Sequence, residues 1–182
     1  MIIALSGTPG TGKSSISVLL QKRGYLIVDL NKIAIDKKFT IGIDQKRKSK
    51  IIDTDMLDRY ICTNYKSEDI VFIEGHFSHL LKSSDKVIIL RCHPDELRKR
   101  LEQKEWSEKK INENIEAEAI DVILCEAVEI HHKKNIFEID TTNNTPESVL
   151  SSIVEIVKNN FKPIKKYNIG KIDWSETVLE NF

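Results

Sequence analysis

The octapeptide Gly7-Thr8-Pro9-Gly10-Thr11-Gly12-Lys13-Ser14 follows the apolar opening MIIALS. It matches the spacing G-x-x-x-x-G-K-[ST], whose chemistry is phosphate capture. Glycines let the backbone curl until successive N–H groups point inward as an anion nest. A helix that begins there adds its positive end. The Lys13 ammonium can reach β- and γ-phosphates, and the Ser14 hydroxyl suits a Mg²⁺ between them. Ser15 is placed to touch an α-phosphate. Gly7, Pro9, Gly10, Thr11, Gly12, Lys13, Ser14 and Ser15 are therefore the candidate triphosphate residues. The competing reading is a turn that merely joins a strand to a helix. An apolar strand before and a helix after favour phosphate.

Such a loop is usually paired with a carboxylate at the end of another strand, which holds Mg²⁺ or its water. Glu74 ends the run IVFIE, and Asp29 ends a shorter apolar run. Carboxyl ends of parallel strands face the ligand crevice. Glu74 is the choice for the magnesium-side acid. His76, two residues on, either orients a water or phosphate oxygen or is a loop histidine bonded for structure. His79, His131 and His132 read as structural. A basic stretch carries Arg91, Arg98, Arg100, Lys104, Lys109 and Lys110. Arg98 and Glu102 are four apart, which suits a solvated, salt-bridged face. The stretch is interrupted at Lys104-Glu105-Trp106-Ser107, where a short cap could close over phosphates and exclude water.

These residues need elements to hold them. Continuously apolar runs predict strands over 2–6, 25–28, 70–74, 87–91 and 136–140. Helical patterning predicts helices over 13–22, from Pro94 toward Glu105, from Ser107 without interruption to about His131, and from Thr145-Pro146 to Lys158. Strands without polar alternation suit a parallel sheet covered on both faces, and the strand–helix rhythm suits a three-layer α/β fold. Residues 32–53 are polar and lysine-rich, and 161–182 read as an irregular tail whose aromatics could dock on the body or a partner.

A chain of 182 residues suits one domain. Lys plus Arg and Asp plus Glu are both 28, so no global field draws it to nucleic acid or acidic lipid. Only local basic patches, near 46–50 and 162–166, remain for such a partner. No apolar run is bilayer-length and no signal peptide is evident. Cys62, Cys92 and Cys125 are far apart, without zinc or disulfide spacing. A reduced, intracellular setting is expected.

The phosphate loop, IEGH at 73–76, RLEQKEWSEKKINENIEAEAI at 100–120 and DTTNNTPESV at 140–149 together resemble the small P-loop nucleoside monophosphate kinases. More narrowly, over roughly residues 1–160, they resemble the adenylate kinase isoenzyme six family. That resemblance implies a three-layer P-loop NTPase fold with a five-stranded parallel sheet. It implies one kinase domain over 1–160, a monophosphate-binding segment at about 29–53, a lid at about 103–113 and a separate 161–182 tail. It further implies transfer of the γ-phosphoryl of MgATP to AMP, giving two ADP, together with ATPase activity. A role in small ribosomal subunit maturation, with a ribosomal protein and pre-ribosomal RNA as partners, also follows from the family. So does a cytoplasmic location, nuclear in a eukaryote.

By the same resemblance Gly10, Gly12, Lys13, Ser14 and Ser15 match the ATP phosphate loop. Glu74 and His76 match an acid-x-histidine in which the acid is often Asp. Lys104 falls in the ATP-contacting part of the lid, Arg100 just before the lid is a further ATP-binding candidate, and Asp29 and Lys32 fall near the monophosphate. Lys104 and Lys32 stand where the family tends to place arginine, which keeps charge and loses the bidentate fork. Residues 140–146 resemble the loop that flanks adenine. Two rivals remain: an assembly ATPase with little AMP kinase activity, and a kinase of another small acceptor.

Overall fold

The computed structural model describes residues 1–44, 49–174 and 176. The strands are β1 (Ile2–Gly7), β2 (Leu26–Asp29), β3 (Thr40–Asp44), β4 (Ser49–Ile52), β5 (Val71–Glu74), β6 (Lys86–Arg91) and β7 (Ile136–Asp140). The helices are α1 (Lys13–Lys22), α2 (Leu30–Asp36), α3 (Thr54–Tyr65), α4 (Pro94–Glu102), α5 (Glu108–Ala119), α6 (Val122–Ile130) and α7 (Pro146–Lys158). The five expected strands form one parallel sheet in the order β2-β5-β1-β6-β7. Strands β3 and β4 pair apart from it as an antiparallel hairpin.

The continuous apolar runs are explained by burial on both faces. Alternate residues Ile3, Leu5, Ile88 and Leu90 meet Ile16 and Leu20 of α1 and Leu150 and Ile153 of α7. On the opposite face Ile2 and Ile73 meet Leu30 and Ala34 of α2 and Leu57 and Ile61 of α3. Ala4, Val87 and Ile89 meet Leu124 and Ala127 of α6. Each fully buried aliphatic side chain contributes about 1.5–3 kcal/mol, so this two-sided packing fixes where β1 ends and the phosphate loop begins. The result is a three-layer α/β P-loop fold.

Local caps set the helix starts. Asp29 accepts from the Lys32 N–H at 3.0 Å and Asp53 from the Met56 N–H at 2.9 Å. Thr145 accepts from Ser148 with Pro146 in the first turn. Such a cap contributes about 1 kcal/mol.

Three sequence expectations change. The helix expected from Ser107 to His131 is two helices, α5 and α6, broken at Ile120–Asp121, where Asp121 has a left-handed φ of 58°. Helices α2 and α3 occupy stretches where patterning offered no helix. Arg98 reaches across to α5, to Glu108 at 2.7 Å and Asn112 at 2.6 Å, instead of pairing with Glu102 along its own helix.

The tail docks on the body as far as it is described. Phe161 and Tyr167 are buried in the α1/α7 core. Asn168 bridges to Phe137, covering the outer edge of β7, an edge that would otherwise offer unpaired backbone groups. Among the described residues no helix is long and apolar enough to cross a membrane. Most of the basic run at 46–50 lies outside the described residues; in the other patch, Lys166 is paired with Glu155 at 2.8 Å.

Candidate active site

The loop between β1 and α1 turns on its glycines. Gly7 has φ +144°, and a Cβ there would lie 2.5 Å from the Leu90 carbonyl oxygen, so no larger residue fits. Gly12, with φ +99°, is the residue from which α1 starts. Its carbonyl already accepts the Ile16 N–H at 3.1 Å, so the open end of α1 faces the loop. Lys13 leads off that helix and is 8% exposed. Its ammonium donates to the Gly7 carbonyl at 2.6 Å and the Thr8 carbonyl at 3.2 Å. Burial lowers its pKa to about 8, against the attraction of Glu74 and Glu118. Ser14 and Ser15 are exposed.

A cavity of about 850 Å³ opens above this loop. Its floor is Pro9 to Ser15. Glu74 and His76 form one wall, and Arg100, Lys104, Trp106, Lys110 and Asn114 another. Thr141, Asn144, Pro146 and Val149 close the side expected to flank a base. Glu74 is half-buried, and burial raises its pKa, with the Lys13 charge opposing. Burial, and then the Lys13 charge, lower the pKa of His76 to about 4, so its imidazole is neutral at neutral pH.

The other expected residues are placed as follows. Arg100 lines the cavity but donates to the carbonyls of Thr141 and Thr142, both at 2.8 Å, and to Glu96. Its guanidinium therefore braces the 141–142 loop. Lys104 also lines the cavity, with its ammonium 5.4 Å from the Trp106 ring centre; Lys110 lies 3.5 Å from the same ring. Asp29 sits beside Glu74 in the sheet register, and its carboxylate caps α2. Asp29 and Lys32 do not line the cavity; Asn31 does. For Mg²⁺, Ser14 and Glu74 offer an oxygen pair at one cavity. Among the described residues no three or more His, Cys, Asp or Glu side chains form a metal cage. Mg²⁺ asks for fewer, since it keeps waters and takes phosphate oxygens, so this donor set fits it.

Two networks beside the cavity go beyond what the sequence reading gives. His79 is buried between Ser6, at 2.9 Å from Nδ1, and Glu126, at 2.8 Å from Nε2. A carboxylate only accepts, so Nε2 carries the proton and Nδ1 accepts from the Ser6 hydroxyl. His131 bonds the His79 carbonyl at 2.8 Å. The second network surrounds Arg91, which is 2% exposed. It donates to Glu118 at 2.8 Å, to Glu138 at 2.5 Å and to Asp121. Burial opposes its charge, but the three carboxylates prevail and hold it more firmly protonated. By sequence Arg91 counts with the basic stretch and closes the strand 87–91. A charged residue closing the apolar run VIILR was the available signal for burial.

Comparison with known proteins places this arrangement. A model described as an AAA domain matches residues 3–121. A protein from Archaeoglobus fulgidus described as “Putative adenylate kinase” is 44% identical over 174 residues, covering 96% of this chain and 92% of its own. A relative of the same description from Thermococcus gammatolerans is 41% identical, covering 99% and 96%. Among solved structures, shikimate kinase from Acinetobacter baumannii in complex with shikimate aligns with a TM-score of 0.60 at 16% identity, covering 87% of this chain and 93% of its own. Shikimate kinase from Bacteroides thetaiotaomicron aligns with a TM-score of 0.57 at 16% identity, covering 87% and 98%. At that identity the likeness concerns the fold. By the extent of the sequence matches, this chain belongs to a family of adenylate-kinase-like P-loop proteins.

Proposed function

We propose that the protein transfers the γ-phosphoryl group of MgATP to AMP, giving two ADP. The observation that carries this reading is the single cavity into which the phosphate loop, Glu74, His76, the basic 100–110 stretch and the 141–146 loop all face. The family relationship adds nucleotide substrates. Backbone N–H groups of Gly10 and of residues 12–15 grip the triphosphate, and Lys13 exchanges two carbonyl partners for phosphate oxygens. Mg²⁺, held from the protein side by Ser14 and by Glu74 partly through water, neutralises phosphate charge when bound. Residues 103–113 act as the lid, with Lys104 supplying charge and Arg100 fixing the base-side loop. The segment at about 29–53 receives the monophosphate, with Asn31 as its cavity-lining residue and Asp29 acting through the cap of α2. No side chain needs to act as a general base, because in-line positioning and charge neutralisation supply most of the rate.

Hydrolysis is a second reading, favoured by His76. A neutral imidazole in the cavity wall can orient a water, although a pKa of about 4 makes it a weak base. In that reading turnover would serve assembly, with a small-subunit ribosomal protein and pre-ribosomal RNA as partners. Steady-state kinetics at matched Mg²⁺ separate the two. The AMP kinase reading expects ADP formation that depends on AMP and exceeds phosphate release. Turnover that ignores AMP and rises with a ribosomal protein would replace it with the second.

A further inference from the structure

The buried charge cluster does more than fill space, because one of its carboxylates touches the phosphate loop. Glu118 lies at the C-terminal end of α5 and is 3% exposed. One carboxylate oxygen accepts from Arg91 at 2.8 Å and from the Cys92 N–H at 3.1 Å. The other accepts the hydroxyl of Thr8, 2.5 Å away. Thr8 is 2% exposed and is a variable position of the loop motif. Its carbonyl accepts the Thr11 N–H, the Thr11 hydroxyl and the Lys13 ammonium. The same residue thus meets Glu118 through its hydroxyl and the Lys13 ammonium through its carbonyl.

Helix α5 has 12 residues and is about 18 Å long. Trp106 just before it, and Lys110 and Asn114 along it, line the cavity. Residues with left-handed φ flank this arm: Glu105 at 54° and Asp121 at 58°. Neither is glycine, so both are places where backbone torsion is held by context. At Asp121 the context is Arg91, which takes its carboxylate. Glu118 lies three residues before Asp121, so a change of torsion at Asp121 would move it relative to Thr8.

We infer that Glu118 is a positioning residue through which the α5 arm sets the Thr8 peptide, and with it the carbonyls that hold Lys13 back from phosphate. The inference rests on the nucleotide-kinase reading above. Arm closure and Lys13 release are then one event, and by linkage phosphate on the loop favours a closed arm.

The chain has two tryptophans, so Trp174→Phe leaves Trp106 as a reporter on the arm. In that background MgATP is titrated and Trp106 emission is read beside kcat for AMP phosphorylation. Thr8→Val, which removes the hydroxyl at constant shape, is expected to lower kcat about tenfold and to abolish most of the emission change. Thr8→Ser, which restores the donor, returns both to within about twofold of the background. Should Thr8→Val not fold, Thr8→Ala against Thr8→Ser makes the same comparison. The inference is overturned if Thr8→Val keeps both signals, if Thr8→Ser is as impaired as Thr8→Val, or if saturating MgATP leaves Trp106 unchanged in the background. A background that binds MgATP, changes emission and yet transfers nothing to AMP overturns the AMP reading and leaves the coupling standing.

Discussion

The phosphate loop and the Arg91 cluster lie on either side of Thr8 and are built in opposite ways. The loop is eight consecutive residues whose working groups are backbone N–H donors and one ammonium. The cluster gathers Arg91 from β6, Glu138 from β7, and Glu118 and Asp121 from the α5–α6 elbow. Lys13 sits under the loop at a cost, since burial opposes its charge. Arg91 sits in its cluster with every carboxylate turned toward it. On the proposed reading, the Lys13 charge is left under-compensated so that a ligand can complete it. A structural charge is completed by the protein itself. Stability and activity should therefore part company between the two regions.

The largest effect is expected from Lys13→Ala, which should cut phosphoryl transfer by roughly a thousandfold, as when a principal transition-state charge partner is lost. Its melting temperature should not fall by more than about 2 °C, because a desolvated ammonium is removed with the contacts it made. Arg91→Met should do the reverse and destabilise the fold by about 3–5 kcal/mol, since it leaves buried carboxylates uncompensated. Thermal melts and assays on the two variants side by side test the contrast. A Lys13→Ala protein as unstable as Arg91→Met would erase it.

His76→Ala sharpens the loop side. Phosphate release without AMP should drop about tenfold, and AMP phosphorylation less than threefold, if His76 orients water. Equal losses would remove that role. Its pKa of about 4 also means that its protonation contributes no change in rate between pH 6 and 8.

The smallest effect is a proton. The folded pKa of Lys13 is about 8, against an ordinary value of 10.5. Between those values the unfolded chain binds more protons than the folded one, so this group makes stability rise with pH there, an effect that fades as the pH falls well below 8. Phosphate would raise the pKa again. MgATP binding near pH 8.5 should then take up a fraction of a proton, read as heats that vary with buffer ionisation enthalpy. No such dependence, or its persistence in Lys13→Ala, would contradict this.

The two regions also differ in how much of each could be read from the chain. The loop, the parallel strands and the start of α1 rest on local chemistry: glycine spacing, apolar runs and a helix of clear period. The break at Asp121 carries no glycine or proline signal in AEAIDVILCEA, although Asp is among the residues that tolerate left-handed backbone. Arg91, thirty residues away, takes the aspartate's carboxylate there. Arg98 likewise chose Glu108 and Asn112 on the next helix over a neighbour on its own. Helix α3 was missed because it buries little beyond Leu57 and Ile61, one pair spaced by a single turn. Asn31 faces the cavity beside Lys32, a difference of one helical step that patterning does not resolve.

The most direct test of the account is calorimetric titration of MgATP into the intact chain. The account predicts saturable one-to-one binding that Lys13→Ala weakens by at least about tenfold. The absence of saturable heat, or equal binding by Lys13→Ala, would contradict it.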